Sequence, residues 1–398
     1  MFTSQFLRGS SKISVLALTS TITYRFLKKS SCEENQAASS TSLASKQDGA
    51  KLIFIGTGSS TGCPKPICSL LFPPGASEAF AGQRGSTEIE TRDAFRERCN
   101  VSRIASIGDP KYNKNYRNNP SLLISHKNQD DKEKSDVKTH PPQLRNVIID
   151  VGKTFREGAL RWMPHHRVTS LDAVVITHGH ADAMLGLDDI RGFQKMPNMI
   201  SSDRISNSNV EGMPVFMSSE CFECIKQKFD YLVPLKSTKR DGSKKQVKRA
   251  VAALDFQVID HFKPFIAAGL KMVPLPVWHG SDFICNGYAF TVIGQDGPVN
   301  VVYLSDISEM MPKTAKFILE ELPSIDILVV DSLLYDKPHA VHYSLTQAID
   351  LAKVLKPKRT FIVGINCDDF PEHDQMNDLL KGVDIDVQLA HDGLSVEV

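Results

Sequence analysis

The sequence predicts a layered domain of the α/β (α+β) class, on three observations. Short β-rich runs alternate with helical patterns along most of the chain. One helix carries both a start and a stop signal. The composition, 398 residues with 41% hydrophobic and 23% charged, is that of a globular protein long enough to bury a large core.

The first strand-like run, Lys51 to Ile55, opens into the glycine-rich turn Gly56-Thr57-Gly58-Ser59-Ser60-Thr61-Gly62. Apolar runs then recur at Ser121 to Ser125, Asn146 to Val151, Ala173 to Ile176, Pro214 to Met217 and Lys271 to Leu275. They continue at Tyr288 to Val292, Val299 to Leu304, Asp326 to Val330 and Thr360 to Val363, with a closing pair near Val387 and Val396. Helical spacing marks Ser219 to Lys228. The best-signalled helix follows His342: Ser344 and Gln347 form a capping box, and Leu345, Ala348, Leu351, Ala352 and Leu355 share one face before Pro357.

These signals place a leader and linker in residues 1–49 and one catalytic domain in residues 50–398, with insertions near 73–119 and 236–250. No acidic residue precedes Glu33, while Arg8, Lys12, Arg25, Lys28 and Lys29 punctuate a Ser/Thr-rich stretch. That is the composition of an organellar transit peptide, so a mitochondrial location is expected, with plastid or cytoplasm as alternatives. A secretory signal is the competing reading, but Thr19, Ser20, Thr21 and Thr23 break its apolar run. No stretch reaches transmembrane length.

Forty-seven basic residues face 46 acidic ones, which argues against a nucleic-acid or anionic-membrane partner. The segment Lys236 to Arg249 is locally basic and reads as a solvated loop. Eight irregularly spaced cysteines do not make a disulfide scaffold, and Cys221 with Cys224, on a helix, reads as a pair of buried thiols. A homodimer is compatible with the sequence but not marked by it.

The chemistry centres on Thr177-His178-Gly179-His180-Ala181-Asp182, which follows the run Ala173 to Ile176. Two imidazoles and a carboxylate on a strand-to-helix turn can converge on a borderline metal such as zinc. Asp150, His279 and Asp306 also sit at strand ends, and His342 precedes the capped helix. A layered sheet gathers strand ends at one edge, so these loops are expected to form one hydrolytic metal site. His165 and His166 are expected to face solvent.

This ordered series resembles the metallo-β-lactamase superfamily over nearly all of Lys51 to Val398. The Gly56-Thr57-Gly58-Ser59-Ser60 turn, His180-Ala181-Asp182-Ala183-Met184-Leu185-Gly186-Leu187-Asp188-Asp189 and Ala390-His391-Asp392-Gly393-Leu394 narrow the likeness. They resemble the branch of the bacterial phosphoribosyl cyclic-phosphate phosphodiesterase and its eukaryotic relatives. The resemblance implies a four-layer αββα sandwich and a metal-dependent phosphodiesterase of small phosphorylated or cyclic-phosphate metabolites. It implies metal ligation by His178, His180, Asp182, His279 and Asp306, and catalytic roles for Asp182 and His342. Asp150 would support a ligand from behind.

Two positions depart from the family pattern. Ala183 and Gly364 stand where the second metal's histidines belong. One firmly bound ion, zinc or manganese, is therefore expected, with a second weak or absent unless His342, His373 or substrate contributes. Two alternatives stay open: a non-catalytic metal-binding protein with a degenerate site, and an RNA-processing nuclease. Relatives also hold a structural zinc on clustered cysteines. Cys68, Cys99 and Cys367 lie in the corresponding regions, but Ser102 stands where a further thiol belongs.

Overall fold

Two seven-stranded sheets pack face to face over an apolar layer, and each buries its other face under helices. The computed structural model describes residues 49–71, 100–127, 144–194, 212–233 and 252–398, together with the backbone of 236–238 and 244–246. Residues 1–48, where a leader is expected, the first part of the 73–119 interval and Cys99 lie outside the described residues.

In chain order the strands are β1 (Lys51–Gly56), β2 (Ser121–Lys127), β3 (Leu144–Ile149), β4 (Ala173–Val175) and β5 (Met213–Met217). A short pair, β6 (Lys236–Thr238) and β7 (Lys244–Gln246), lies in the basic segment. There follow β8 (Leu254–Val258), β9 (Phe265–Ala267), β10 (Leu270–Trp278), β11 (Ile284–Ile293) and β12 (Pro298–Leu304). The last four are β13 (Ile327–Asp331), β14 (Arg359–Val363), β15 (Val387–Leu389) and β16 (Ser395–Glu397). One sheet has the order β16-β1-β2-β3-β4-β5-β8 and the other β15-β14-β13-β12-β11-β10-β9.

The apolar runs are nearly continuous because both faces of most strands are buried. In β1, Ile53 and Ile55 join the layer beneath the helices, whereas Leu52 and Phe54 join the layer between the sheets. Strands β8 and β9 escape sequence reading because Asp255 and Gln257 interrupt one run and the other has three residues. The capped helix is Leu345–Leu355, with Ser344 accepting from the Gln347 amide and Lys356 closing the helix in the left-handed region. Helix Ser219–Lys228 has the expected bounds. No described helix is long and apolar enough to cross a membrane.

Strand direction places the site. Strands β3 and β4 are parallel, as are β12, β13 and β14, and two antiparallel steps bring β10 into line with β12. All of them therefore end at one edge of the sandwich. The sheets are tied there: the Tyr288 hydroxyl donates to the Ile176 carbonyl at 2.7 Å, and the Asn286 amide to the Thr177 carbonyl at 3.0 Å.

The later part of the 73–119 interval is built into the domain, since Arg117, Asn118 and Asn119 are buried. Arg117 donates to Thr57 Oγ1 at 2.7 Å and to the Ala390 carbonyl at 2.6 Å. Asp392 accepts from Thr57 and the Asn118 amide, locking the first glycine-rich turn to the end of the chain. Removing the guanidinium leaves the Ala390 carbonyl without its donor and takes a positive charge from beside the buried Asp392 carboxylate. Arg117→Met is accordingly expected to lose about 3 kcal/mol or more of stability in urea unfolding, with the metal site intact.

Candidate metal centre

His178 is buried and its tautomer is set by a relay. The Thr177 hydroxyl donates to Asp150 Oδ2 at 2.8 Å, so its oxygen accepts from His178 Nδ1–H, also at 2.8 Å. Asp150 takes the Thr177 amide at 2.8 Å as well. Nε2 of His178 is left with its lone pair, buried and without a hydrogen-bond partner. A buried ring nitrogen with a free lone pair in a polar cluster has the chemistry of a candidate metal ligand.

His279, after β10, presents the same pattern: Nδ1–H donates to the Val341 carbonyl at 2.8 Å, which leaves Nε2 to coordinate. His180 projects from the turn, stacked on Phe283 at 4.4 Å between ring centroids. Donor atoms of His178, His180 and His279 all lie within 4.8 Å of one another, and so do those of His279, Asp306 and His342. Asp182 Oδ1 is 3.9 Å from His178 Nε2. His279 is thus shared by two candidate groups, and a donor set of imidazoles and carboxylates suits a divalent ion.

Burial pushes the His178 ring down to about 3. Burial and neighbouring His279 lower His180. Both are neutral at physiological pH, the form that ligates. Burial, then the Asp306 carboxylate, raises Asp182 to about 7. Burial would raise Asp306, but the surrounding imidazoles outweigh it and hold it below the usual range. His342 is different: burial would lower it, yet Asp331, then Asp306 and Asp182, hold its proton up to about 9. Backbone geometry marks the same residues, for Asp150 and Asp306 have φ of 61° and 51°, unusual for non-glycine residues.

Sequence reading missed Asp331. It ends β13 and is buried, with Oδ2 2.7 Å from His342 Nδ1. Its signal was an apolar run ending in Asp, the same that marked Asp150 and Asp306. His373 lies apart from the metal centre: buried at the start of helix His373–Leu380, it packs 3.0 Å from Arg117 Nη2. His166 is half-buried rather than solvent-facing, with a ring nitrogen 3.0 Å from the Gly393 carbonyl. Cys63, Cys68, Cys221, Cys285 and Cys367 are buried, and no described cysteine belongs to a group close enough to hold an ion.

The Asp150 relay yields a prediction. Asp150→Asn keeps the volume but replaces an acceptor oxygen with a donor, so the Thr177 hydroxyl and His178 Nδ1–H compete. Metal affinity is expected to fall about 10- to 100-fold, read by competition with a chromogenic chelator.

Two packed sheets with histidines and carboxylates converging at one edge define a layered fold with a candidate metal centre. The chain belongs to the β-lactamase superfamily: the family model of the β-lactamase superfamily domain matches residues 145–365. Its two mixed sheets with outer helices form the αββα sandwich. Among solved structures it is similar to a new diphosphatase from the PhnP family, at 25% identity and TM-score 0.55, over 87% of this chain and 96% of that one. It shares the fold of Zn(2+)-bound PqqB from Methylobacterium extorquens, at 12% identity and TM-score 0.54, over 87% and 100% of the two chains. Among curated proteins, an octanoyltransferase of Porphyromonas gingivalis is 26% identical over 219 residues, 55% of this chain. The match spans only 36% of that protein's length.

Proposed function

We propose that the protein is a metal-dependent phosphodiesterase acting on a small phosphorylated or cyclic-phosphate metabolite. The observation that carries the reading is the convergence of three imidazoles, one with an orphaned buried nitrogen, on the side of the site facing the Asp331–His342 pair. Likeness to a diphosphatase over nearly its whole length supports hydrolysis at phosphorus. The near-neutral charge favours a small substrate over nucleic acid.

His178, His180 and His279 would hold one zinc or manganese ion, with Asp306 closing the set. Bound there, such an ion supplies Lewis acidity and lowers the pKa of water. Asp182 accepts a hydrogen bond from the attacking water and so aims it at phosphorus. His342 carries the proton for the leaving oxygen, since Asp331 anchors one ring nitrogen and leaves the other to donate. Lys228, which reaches the Gly179 carbonyl at 3.3 Å, adds a cation beside the motif turn.

The test is turnover of aryl phosphodiesters and a ribose cyclic phosphate after zinc or manganese loading, comparing wild type with His180→Ala. Hydrolysis by wild type that the variant loses is expected. A wild type that binds metal yet cleaves nothing on the panel would overturn the reading in favour of a non-catalytic metal-binding protein.

A further inference from the structure

We infer that Phe283 is a positioning residue for His180, whose ring it holds by stacking where the other two imidazoles of the site are held by hydrogen bonds. The inference rests on the metal-dependent reading and deepens it, whichever phosphoester is cleaved.

The three imidazoles differ in what holds them. Nδ1 of His178 meets the Thr177 hydroxyl at 2.8 Å, and Nδ1 of His279 meets the Val341 carbonyl at 2.8 Å. Both of these rings are buried. His180 is the exposed member, set just before the short helix Ala181–Met184, and its side chain makes no capping bond to that helix. Among the described residues neither of its ring nitrogens has a hydrogen-bond partner. Its ring has a neighbour of another kind. The Phe283 ring lies nearly parallel to it, with 4.4 Å between centroids and 15° between planes. The same phenyl ring meets His178 at 5.9 Å and His279 at 6.0 Å, both edge-on, so only His180 is held face to face.

The turn that joins β10 to β11 fixes the phenyl ring. Trp278 pairs with Ile284 at its base, and the His279 amide donates to the Phe283 carbonyl at 2.9 Å. The Gly280 amide donates to Ser308 Oγ at 2.8 Å and ties the turn down. One turn of the second sheet thus carries a candidate ligand, His279, and the ring that seats another, His180, which follows β4 of the first sheet.

An imidazole with no protein partner rotates about its side-chain bonds, and ordering it on an ion costs conformational entropy. A flat face packed against it removes that freedom in advance. Aromatic pairs of this kind are worth up to about tenfold in an equilibrium beyond the area they bury. A ligated imidazole also gives up electron density to the cation, so the negative face of the phenyl ring attracts it more strongly. Leucine would keep the apolar cover but not the flat face.

The test uses the full-length protein and the variants Phe283→Leu, Phe283→Ala and Phe283→Tyr. The first readout needs no metal. The carbon-bound ring protons of His180, assigned by their absence in His180→Ala, lie over the phenyl face, so their resonances are expected upfield of a free imidazole in wild type and Phe283→Tyr. They should return to the free position in Phe283→Leu and Phe283→Ala. The second readout is zinc affinity by competition with a chromogenic chelator, expected to fall about 10-fold in Phe283→Leu and Phe283→Ala and to stay within about twofold in Phe283→Tyr. Retention of bulk in leucine and of the ring in tyrosine keeps the comparison decisive if the alanine variant folds poorly.

Wild-type zinc affinity in Phe283→Leu would overturn the inference, because the stack would then do nothing for binding. Equal losses in Phe283→Leu and Phe283→Tyr would overturn it too, because any change at 283 would then act alike. A wild type that binds no zinc overturns the metal centre itself, while the ring-proton shifts still decide whether Phe283 seats His180. A wild type that shows the expected ranking yet cleaves no phosphoester supports the inference and removes the proposed substrate class.

Discussion

His178→Ala is expected to leave the protein without its metal and with turnover reduced by well over 100-fold, while His373→Ala keeps both. The first change removes a nitrogen that has no other employment: Nε2 of His178 is buried and unpartnered, and its Nδ1–H is already committed to Thr177. Loss of an outer partner costs a site about 10- to 100-fold in affinity, so loss of one of three imidazole ligands must exceed that. The ring also packs edge-on against His180 at 4.7 Å and His279 at 5.3 Å, so its removal loosens the two ligands that remain. His373 is just as buried but lies against Arg117, and its alanine variant should lower stability alone. Metal analysis by plasma mass spectrometry, kcat and urea unfolding on the two variants separate the cases. Full metal content in His178→Ala would remove the centre from these residues.

That contrast shows what the sequence can and cannot disclose. The candidate ligands are legible because each follows an apolar run, and strand ends converge by topology whatever the details of packing. Asp150, His178, His279 and Asp306 needed only that rule. Asp331 obeys it too, but the apolar run Asp326 to Val330 already reads as a complete strand without it. Gly364 was legible as a loss, but not as room: that a neighbouring carboxylate fills the space is a fact of register between β13 and β14. His373 was ambiguous because a histidine among Glu372, Asp374 and Gln375 reads as solvated, and only the long-range contact with Arg117 buries it. Strands β8 and β9 carry too little pattern to be seen locally and exist because neighbouring strands offer them pairing.

The second large effect is expected from a single methyl group that touches no ligand side chain. Gly152 follows the Asp150 loop, and a Cβ built on it lands on the backbone carbonyl of Asp182. Backbone cannot rotate aside as a side chain can. The two segments are laced together on either side of the contact, with the Val151 amide donating to the Ala183 carbonyl at 2.7 Å and the Gly186 amide to the Val151 carbonyl at 2.7 Å. Gly152→Ala must therefore separate Asp150, which orients His178, from the turn that carries Asp182. Overpacking of this kind costs about 1–3 kcal/mol, and a displacement of about 1 Å at a reacting group costs about 100-fold in rate. Gly192 supplies the control: its Cβ would meet nothing within 4 Å and its backbone conformation suits alanine, so Gly192→Ala should be neutral or slightly stabilising. Thermal unfolding and kcat of the two variants, taken together, decide the matter. If Gly152→Ala behaves like Gly192→Ala, the site tolerates a slack between its two halves that this packing does not allow.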